Sequence, residues 1–118
     1  MVTCMATHYE GDPCDNTKKF FKWIKNCAKK DEHKNLFKGM DYAIFGLGDK
    51  SYELFNEMGT YFDKTFEKLG GTRVYELGAA NAETFSTEED FFKWKCEFWP
   101  NVVAHYAKNC TEVRAKTE

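Results

Sequence analysis

Residues 40–56 constrain the fold more tightly than any other stretch of this chain. Met40-Asp-Tyr-Ala-Ile-Phe45 is almost unbroken in apolar side chains, as expected of a central parallel strand covered on both faces. Gly46-Leu-Gly-Asp-Lys-Ser-Tyr-Glu-Leu-Phe-Asn56 follows and leads into a helical pattern. Its two glycines let the backbone approach a ligand closely. Tyr52 and Phe55 offer aromatic surface at the carboxyl end of a strand, where open α/β sheets bind ligands. A loop of the same kind, Ala6-Thr-His-Tyr-Glu-Gly-Asp-Pro13, ends the strand before it. Two such loops on neighbouring parallel strands form a slot for a flat aromatic cofactor.

The remaining chain alternates strand and helix. A strand is predicted over 2–6 and a helix over 17–30, where Phe20, Trp23, Ile24 and Cys27 recur at i, i+3, i+4 and i+7. Lysines 18, 19, 22, 25, 29 and 30 form the wet face of that helix. Met58, Phe62, Phe66 and Leu69 step at helical spacing until Gly70-Gly71 stops them. A third strand is expected over 73–77, a loop over 78–87, and a last helix entered through Ser86-Thr-Glu-Glu-Asp90, which has capping-box character. That helix carries Phe91, Trp94, Phe98 and Val102 on one side and Phe92, Cys96, Trp99 and Val103 on another, with Pro100 expected to kink it. Residues 1–108 read as a partial domain and 109–118 as a tail or the start of a linker. Three β-α units imply a parallel sheet with right-handed crossovers. Three strands are few for this class, and strand 2–6 would leave an open edge.

Composition excludes several functions. A chain of 118 residues with 17% aromatics can pack a core. A net charge of -2 gives no pull towards nucleic acid or anionic membrane, and Asp31 and Glu32 dilute the lysines before them. No apolar run reaches the roughly 20 residues needed to span a bilayer, and Met1-Val-Thr-Cys-Met-Ala carries no signal-peptide pattern. Cysteines at 4, 14, 27, 96 and 110 are odd in number and never at CxxC spacing, so neither a zinc site nor a redox dithiol is expected. Cys27 and Cys96 read as small core residues, and the cysteine usage suits a reducing, cytoplasmic compartment. His8, His33 and His105 lie at spacings that do not suggest a metal site. Ser51, His8 and Asp12 make no hydrolase, because the Gly-x-Ser-x-Gly elbow is absent.

Five motifs, in order, carry a resemblance. Cys-Met-Ala-Thr-x-x-Glu-Gly-Asp-Pro-x-Asp-Asn, Phe-Gly-Leu-Gly-x-Lys-x-Tyr-Glu-x-Phe-Asn, Glu-Leu-Gly, Glu-Glu-Asp-Phe and Phe-Trp-Pro together resemble the FMN-binding, flavodoxin-like domain of NADPH–cytochrome P450 reductases and other diflavin reductases. The resemblance runs from Val2 to about Tyr106. It implies an α/β, flavodoxin-like parallel sheet with helices on both faces, of which only the last three β-α units match. The family's Ser/Thr-Gly loop, which holds the FMN phosphate at a helix N-terminus, has no match here. A fragment truncated on its N-terminal side is therefore expected.

The resemblance also implies site residues. Tyr52 matches the tyrosine that stacks on the flavin ring, and Leu47, Gly48 and Asp49 match its contacts to the ring and ribityl edge. Phe55 and Asn56 match the end of that loop, and Leu54 stands where many relatives have histidine. In the first loop Ala6, Thr7, Glu10 and Gly11 match, whereas His8 takes the place of a second stacking tyrosine and Tyr9 that of a glycine. Asn81 replaces an aspartate of an acidic run beside the flavin. A charge there tunes the flavin potential. Glu88, Glu89 and Asp90 match acids that dock basic haem-protein surfaces, while also suiting a helix N-terminus. The implied function is electron relay through FMN, from an FAD/NADPH-binding domain to a haem protein such as a cytochrome P450. The parent protein is then expected on the cytosolic face of the endoplasmic reticulum. The alternative is a flavodoxin-fold remnant that binds no cofactor and acts as a protein-docking module.

Overall fold

The computed structural model describes residues 1–8 and 10–117, with side chains described as far as Lys108. Strand β1 (Val2–His8) pairs in parallel with β3 (Asp41–Gly48) and turns back through the two-residue β2 (Asp12–Pro13), which is antiparallel to its end. On its other side β3 pairs in parallel with β4 (Thr72–Arg73) and then with β5 (Gly78–Asn81). Helices α1 (Lys18–Ala28) and α2 (Glu57–Lys68) connect the long strands, and α3 (Thr87–Thr117) follows β5.

The unbroken apolar run of β3 is explained by two cores, one on each face of the sheet. Tyr42 and Ile44 point to one face, where Ile24 and Cys27 of α1 meet Met58, Phe62 and Phe66 of α2 and Leu69 just beyond it. Ala43 and Phe45 point to the other, beneath Trp94 and Phe98 of α3. Period-two alternation on a doubly covered strand reads as continuous hydrophobicity. Buried Tyr42 donates its hydroxyl to the Asp63 carbonyl at 2.9 Å, and Arg73 grips the Asp63 carboxylate through two bonds of 2.9 and 2.8 Å. That fork ties β4 to α2.

The third strand departs from the expectation over 73–77. Only Thr72–Arg73 pair there, and the longer pairing comes at Gly78–Asn81, inside the expected loop. Trp94 is the cause. Its indole Nε1 donates to the Glu76 carbonyl at 3.0 Å, and its ring and that of Tyr75 meet edge-on at 5.7 Å. The chain passes beneath Trp94 only where it has no side chain, since a Cβ at Gly78 would overlap both Trp94 and Phe45. Small residues Ala79 and Ala80 then complete the pairing with β3.

Other expectations fare differently. Gly70, at φ 98°, ends α2 with Gly71 N–H donating to the Phe66 carbonyl at 2.9 Å. Cys27 is buried, but Cys96 is exposed, because α3 turns the Trp94–Phe98 side to the sheet and Cys96 away from it. Helix α3 continues through Pro100 and past residue 108 to Thr117, where the sequence suggests a tail.

Candidate functional site

The carboxyl ends of β1, β3 and β5 lie side by side, so the loops after them share one end of the sheet. The first is held by a tight turn in which Gly11 N–H donates to the His8 carbonyl at 3.0 Å, with Gly11 at φ 89°. Thr7, one residue earlier, reaches across to α2, and its Oγ1 accepts the Met58 N–H at 3.0 Å. That bond satisfies an amide at the N-terminus of α2, a role usually taken by the N-cap side chain.

Asn56 occupies the N-cap position but does not cap. Its backbone is left-handed at φ 55°, and its buried side chain is wedged between Gly46 and Gly59, each too close to it to bear a methyl group. Its Oδ1 is buried without a hydrogen-bond partner. In the loop before it, Asp49 Oδ1 accepts both the Ser51 N–H at 2.8 Å and the Ser51 hydroxyl at 2.5 Å. Tyr52 N–H donates to the Asp49 carbonyl at 3.1 Å, and the residue is 42% exposed.

The third loop is stitched to the second. Asn81 Oδ1 accepts the Lys50 N–H at 2.8 Å and the Glu83 N–H at 3.1 Å. The Asn81 N–H donates to Asp90 Oδ2 at 3.1 Å, and the Ser86 hydroxyl donates to the same oxygen at 3.0 Å. These two bonds hold the Asp90 carboxyl below the usual carboxylate range. Phe85 completes this loop in a left-handed conformation at φ 55° with its ring almost wholly exposed.

Thr7, Leu47, Gly48, Asp49, Tyr52, Ala82 and Thr87 line one crevice of about 270 Å³. Five of these were predicted from two separate motifs. Glu10 lines a wider hollow on the other side of Tyr52, and Phe55 and Asn81 line a third beside Lys50. The remaining predicted residues stand apart from these hollows. Ala6 pairs with Leu47 within the sheet, Gly11 packs against Leu54, and Asn56 faces the interior. His8 is exposed opposite Asp12, and Tyr9 lies outside the described residues. Glu88 and Glu89 are exposed, whereas Asp90 is engaged by the third loop. Among the described residues no cluster of His, Cys, Asp or Glu is arranged to hold a metal. Ala82, Thr87 and the capping hydroxyl of Thr7 were not foreseen as parts of this arrangement. Only the register of β5 brings Ala82 and Thr87 to the crevice.

The sequence model of the family described as Flavodoxin matches residues 1–94. The chain belongs to that family. It is 44% identical over 110 residues to the NADPH–cytochrome P450 reductase of Oryctolagus cuniculus, covering 93% of this chain and 15% of that protein. It is 46% identical over 101 residues to the reductase of Musca domestica, covering 86% of this chain and 14% of that one. This flavodoxin-family chain thus spans about 15% of the length of the curated relatives it matches. Oxidised flavodoxin 1 from Bacillus cereus shares the fold at a TM-score of 0.56 and 19% identity, over 84% of this chain and 63% of the other. No helix among the described residues is long and apolar enough to cross a membrane.

Proposed function

We propose that this chain is the ring-binding part of an FMN domain that transfers electrons within an NADPH–cytochrome P450 reductase. One observation carries the reading: residues of two distant motifs, Thr7 with Leu47, Gly48, Asp49 and Tyr52, line a single crevice at the carboxyl ends of adjacent parallel strands. The crevice is about 270 Å³, near the lower bound of roughly 300 Å³ for small-molecule pockets, and a wider hollow adjoins it across Tyr52. Tyr52 supplies one aromatic wall and Leu47 an apolar one. The donor set fits the ring. It does not fit the phosphate, because no Ser/Thr-Gly loop at a helix N-terminus opposes the crevice among the described residues. FMN, when bound, supplies the one-electron chemistry, and this chain's residues supply stacking, orientation and exclusion of water. Electrons would arrive from an FAD/NADPH-binding domain and leave to a haem protein, with exposed Glu88 and Glu89 offering the docking charge. The parent protein would work on the cytosolic face of the endoplasmic reticulum.

A second reading, a cofactor-free docking module, is favoured by the side chain of Asn81. It stands where an acid near the flavin is expected, and its oxygen is already committed to the Lys50 and Glu83 amides. Titration of FMN followed by flavin fluorescence separates the two. Electron transfer requires saturable quenching, weakened about fivefold by Tyr52→Ala, in line with the ~1 kcal/mol of aromatic stacking. An unchanged flavin spectrum at all concentrations would leave the docking module.

A further inference from the structure

A net charge of -2 exerts no overall pull on an anion, but it conceals a segregation of charge. Between residues 18 and 38 lie eight of the chain's 17 basic residues and only two acids, Asp31 and Glu32. The rest of the chain is correspondingly acidic, with 17 of the 19 Asp and Glu residues against nine basic ones. All eight basic residues are lysine, and all eight are exposed. On α1, Phe20, Ile24 and Cys27 turn to the core. At about 3.6 residues per turn, Lys18, Lys19, Lys22, Lys25 and Lys29 fall on the opposite side. Lys18 is paired to Asp15 at 2.8 Å, and it alone of the eight has an ion-pair partner among the described residues.

The lysines continue past the helix to the amino end of the sheet. Helix α1 carries the chain back from the end of β1 to the start of β3, so its last turn lies at the end opposite the crevice. The segment after it is pinned there, with Phe37 N–H donating to the Leu69 carbonyl at 2.8 Å and Met40 leading into β3. Within that segment exposed Lys34 and Lys38 flank exposed Leu36, and exposed Lys68 ends α2 next to Leu69. The carboxyl end of the sheet has the opposite sign. Exposed Glu10, Glu53, Glu83, Glu88 and Glu89 stand on the loops around the crevice.

Two properties of the basic surface select its partner. It contains no arginine, the residue that holds single phosphates and carboxylates through a planar fork. Lysine is a point charge on a flexible stem, suited to a diffuse field of anions. The surface also carries apolar side chains among its charges, with Trp23 48% and Leu36 40% exposed. Lys19, one turn before Trp23, shares its flank of α1. Tryptophan settles at the headgroup level of a bilayer, and lysine stems lie along the apolar boundary with their ammonium groups in water. Lysines around an exposed aromatic are the pattern of a helix that lies on an anionic membrane.

We propose that α1 and the segment 29–38 form a docking surface for an anionic phospholipid bilayer. The lysines supply the attraction, which acts within a Debye length of the bilayer surface, about 10 Å at 0.1 M salt. Trp23 and Leu36 enter the headgroup layer. The acidic loops lie at the far end of the strands, so the bilayer draws the lysine end and repels the crevice end. The crevice stays clear of lipid and open to solution. No flavin takes part, so this inference stands apart from the electron-transfer reading. A polyanion in solution, whether nucleic acid or acidic polypeptide, would meet the same lysines but offers Leu36 no apolar layer to enter.

The test uses the whole 118-residue chain and vesicles of phosphatidylcholine with or without phosphatidylserine, with no flavin added. Co-sedimentation should show binding only where phosphatidylserine is present, and raised salt should release the chain. Lys19→Glu with Lys22→Glu, exposed in the first turns of α1 where acids also suit the helix, should weaken binding by about tenfold or more. The circular dichroism spectrum should not change. Lys93→Glu with Lys108→Glu makes the same charge change on α3 and should leave binding nearly intact. Bromine-labelled lipid should quench the tryptophan fluorescence. Trp23→Phe should lose most of that quenching, and Trp99→Phe should keep it. Absence of binding, binding to neutral vesicles, or binding that salt does not weaken would each overturn the proposal. So would equal losses in the two charge-reversed pairs, or tighter binding to polyglutamate or duplex DNA than to the vesicles.

Discussion

Asp90 and Asn81 act together at the rim of the crevice. The Asp90 carboxylate accepts from the Asn81 amide and the Ser86 hydroxyl, while the Asn81 side chain holds the Lys50 amide. Bonds donated to a carboxylate favour its ionised form, and the Asp90 pKa is lowered accordingly. A lowered folded-state pKa contributes stability above the ordinary carboxylate range, and that stability is lost as pH falls through the lowered value. Asp90→Asn should therefore melt below the parent chain near neutral pH, with the gap narrowing on acidification. Thermal unfolding across an acid pH series measures it, and a gap independent of pH would mean that the charge contributes nothing. In sequence Asp90 could be read both as a helix-terminal acid and as a docking acid. The bonds show Asp90 engaged at the helix terminus, while Glu88 and Glu89 stay exposed. Asn56 was similarly illegible. Asparagine before a helix usually caps it, and only the absence of side chains at Gly46 and Gly59 draws this one inward.

Elements with a strong internal period were legible from sequence, and those set by a distant partner were not. α1 and α2 follow their 3.6-residue stripes, and β3 follows its unbroken apolar run. β5 has no such signal, because Gly78-Ala79-Ala80 has poor strand propensity. It becomes a strand because Trp94, well along in the sequence, takes the Glu76 carbonyl and admits only a bare backbone beneath its ring. Gly78→Val tests this directly. Overpacking of this kind costs about 1–3 kcal/mol or more, and here it falls at the start of β5. Urea unfolding should show that loss, and hydrogen exchange should quicken at residues 78–81. A variant as stable as the parent would show that Trp94 does not set the position of β5.

At the scale of the whole molecule, β3 is the covered centre of the sheet, with β1 on one side and β4 and β5 on the other. β3 is covered on both faces, whereas β1 presents an open edge with Val2 and Cys4 exposed. The position of the crevice was legible because ligands gather at the carboxyl ends of parallel strands, and Tyr52, Gly48 and Thr7 meet there. On the proposed reading the chain offers a flavin a site for its ring, and among the described residues no phosphate-binding loop faces it. Affinity should then reside in the isoalloxazine alone. The most direct test compares riboflavin with FMN by titration into the isotopically labelled chain, reading amide shifts residue by residue. The account predicts affinities within about threefold of each other, a difference below ~1 kcal/mol, with shifts concentrated at Thr7, Gly48, Asp49 and Tyr52. FMN binding far more tightly than riboflavin, or shifts centred elsewhere on the chain, would contradict it.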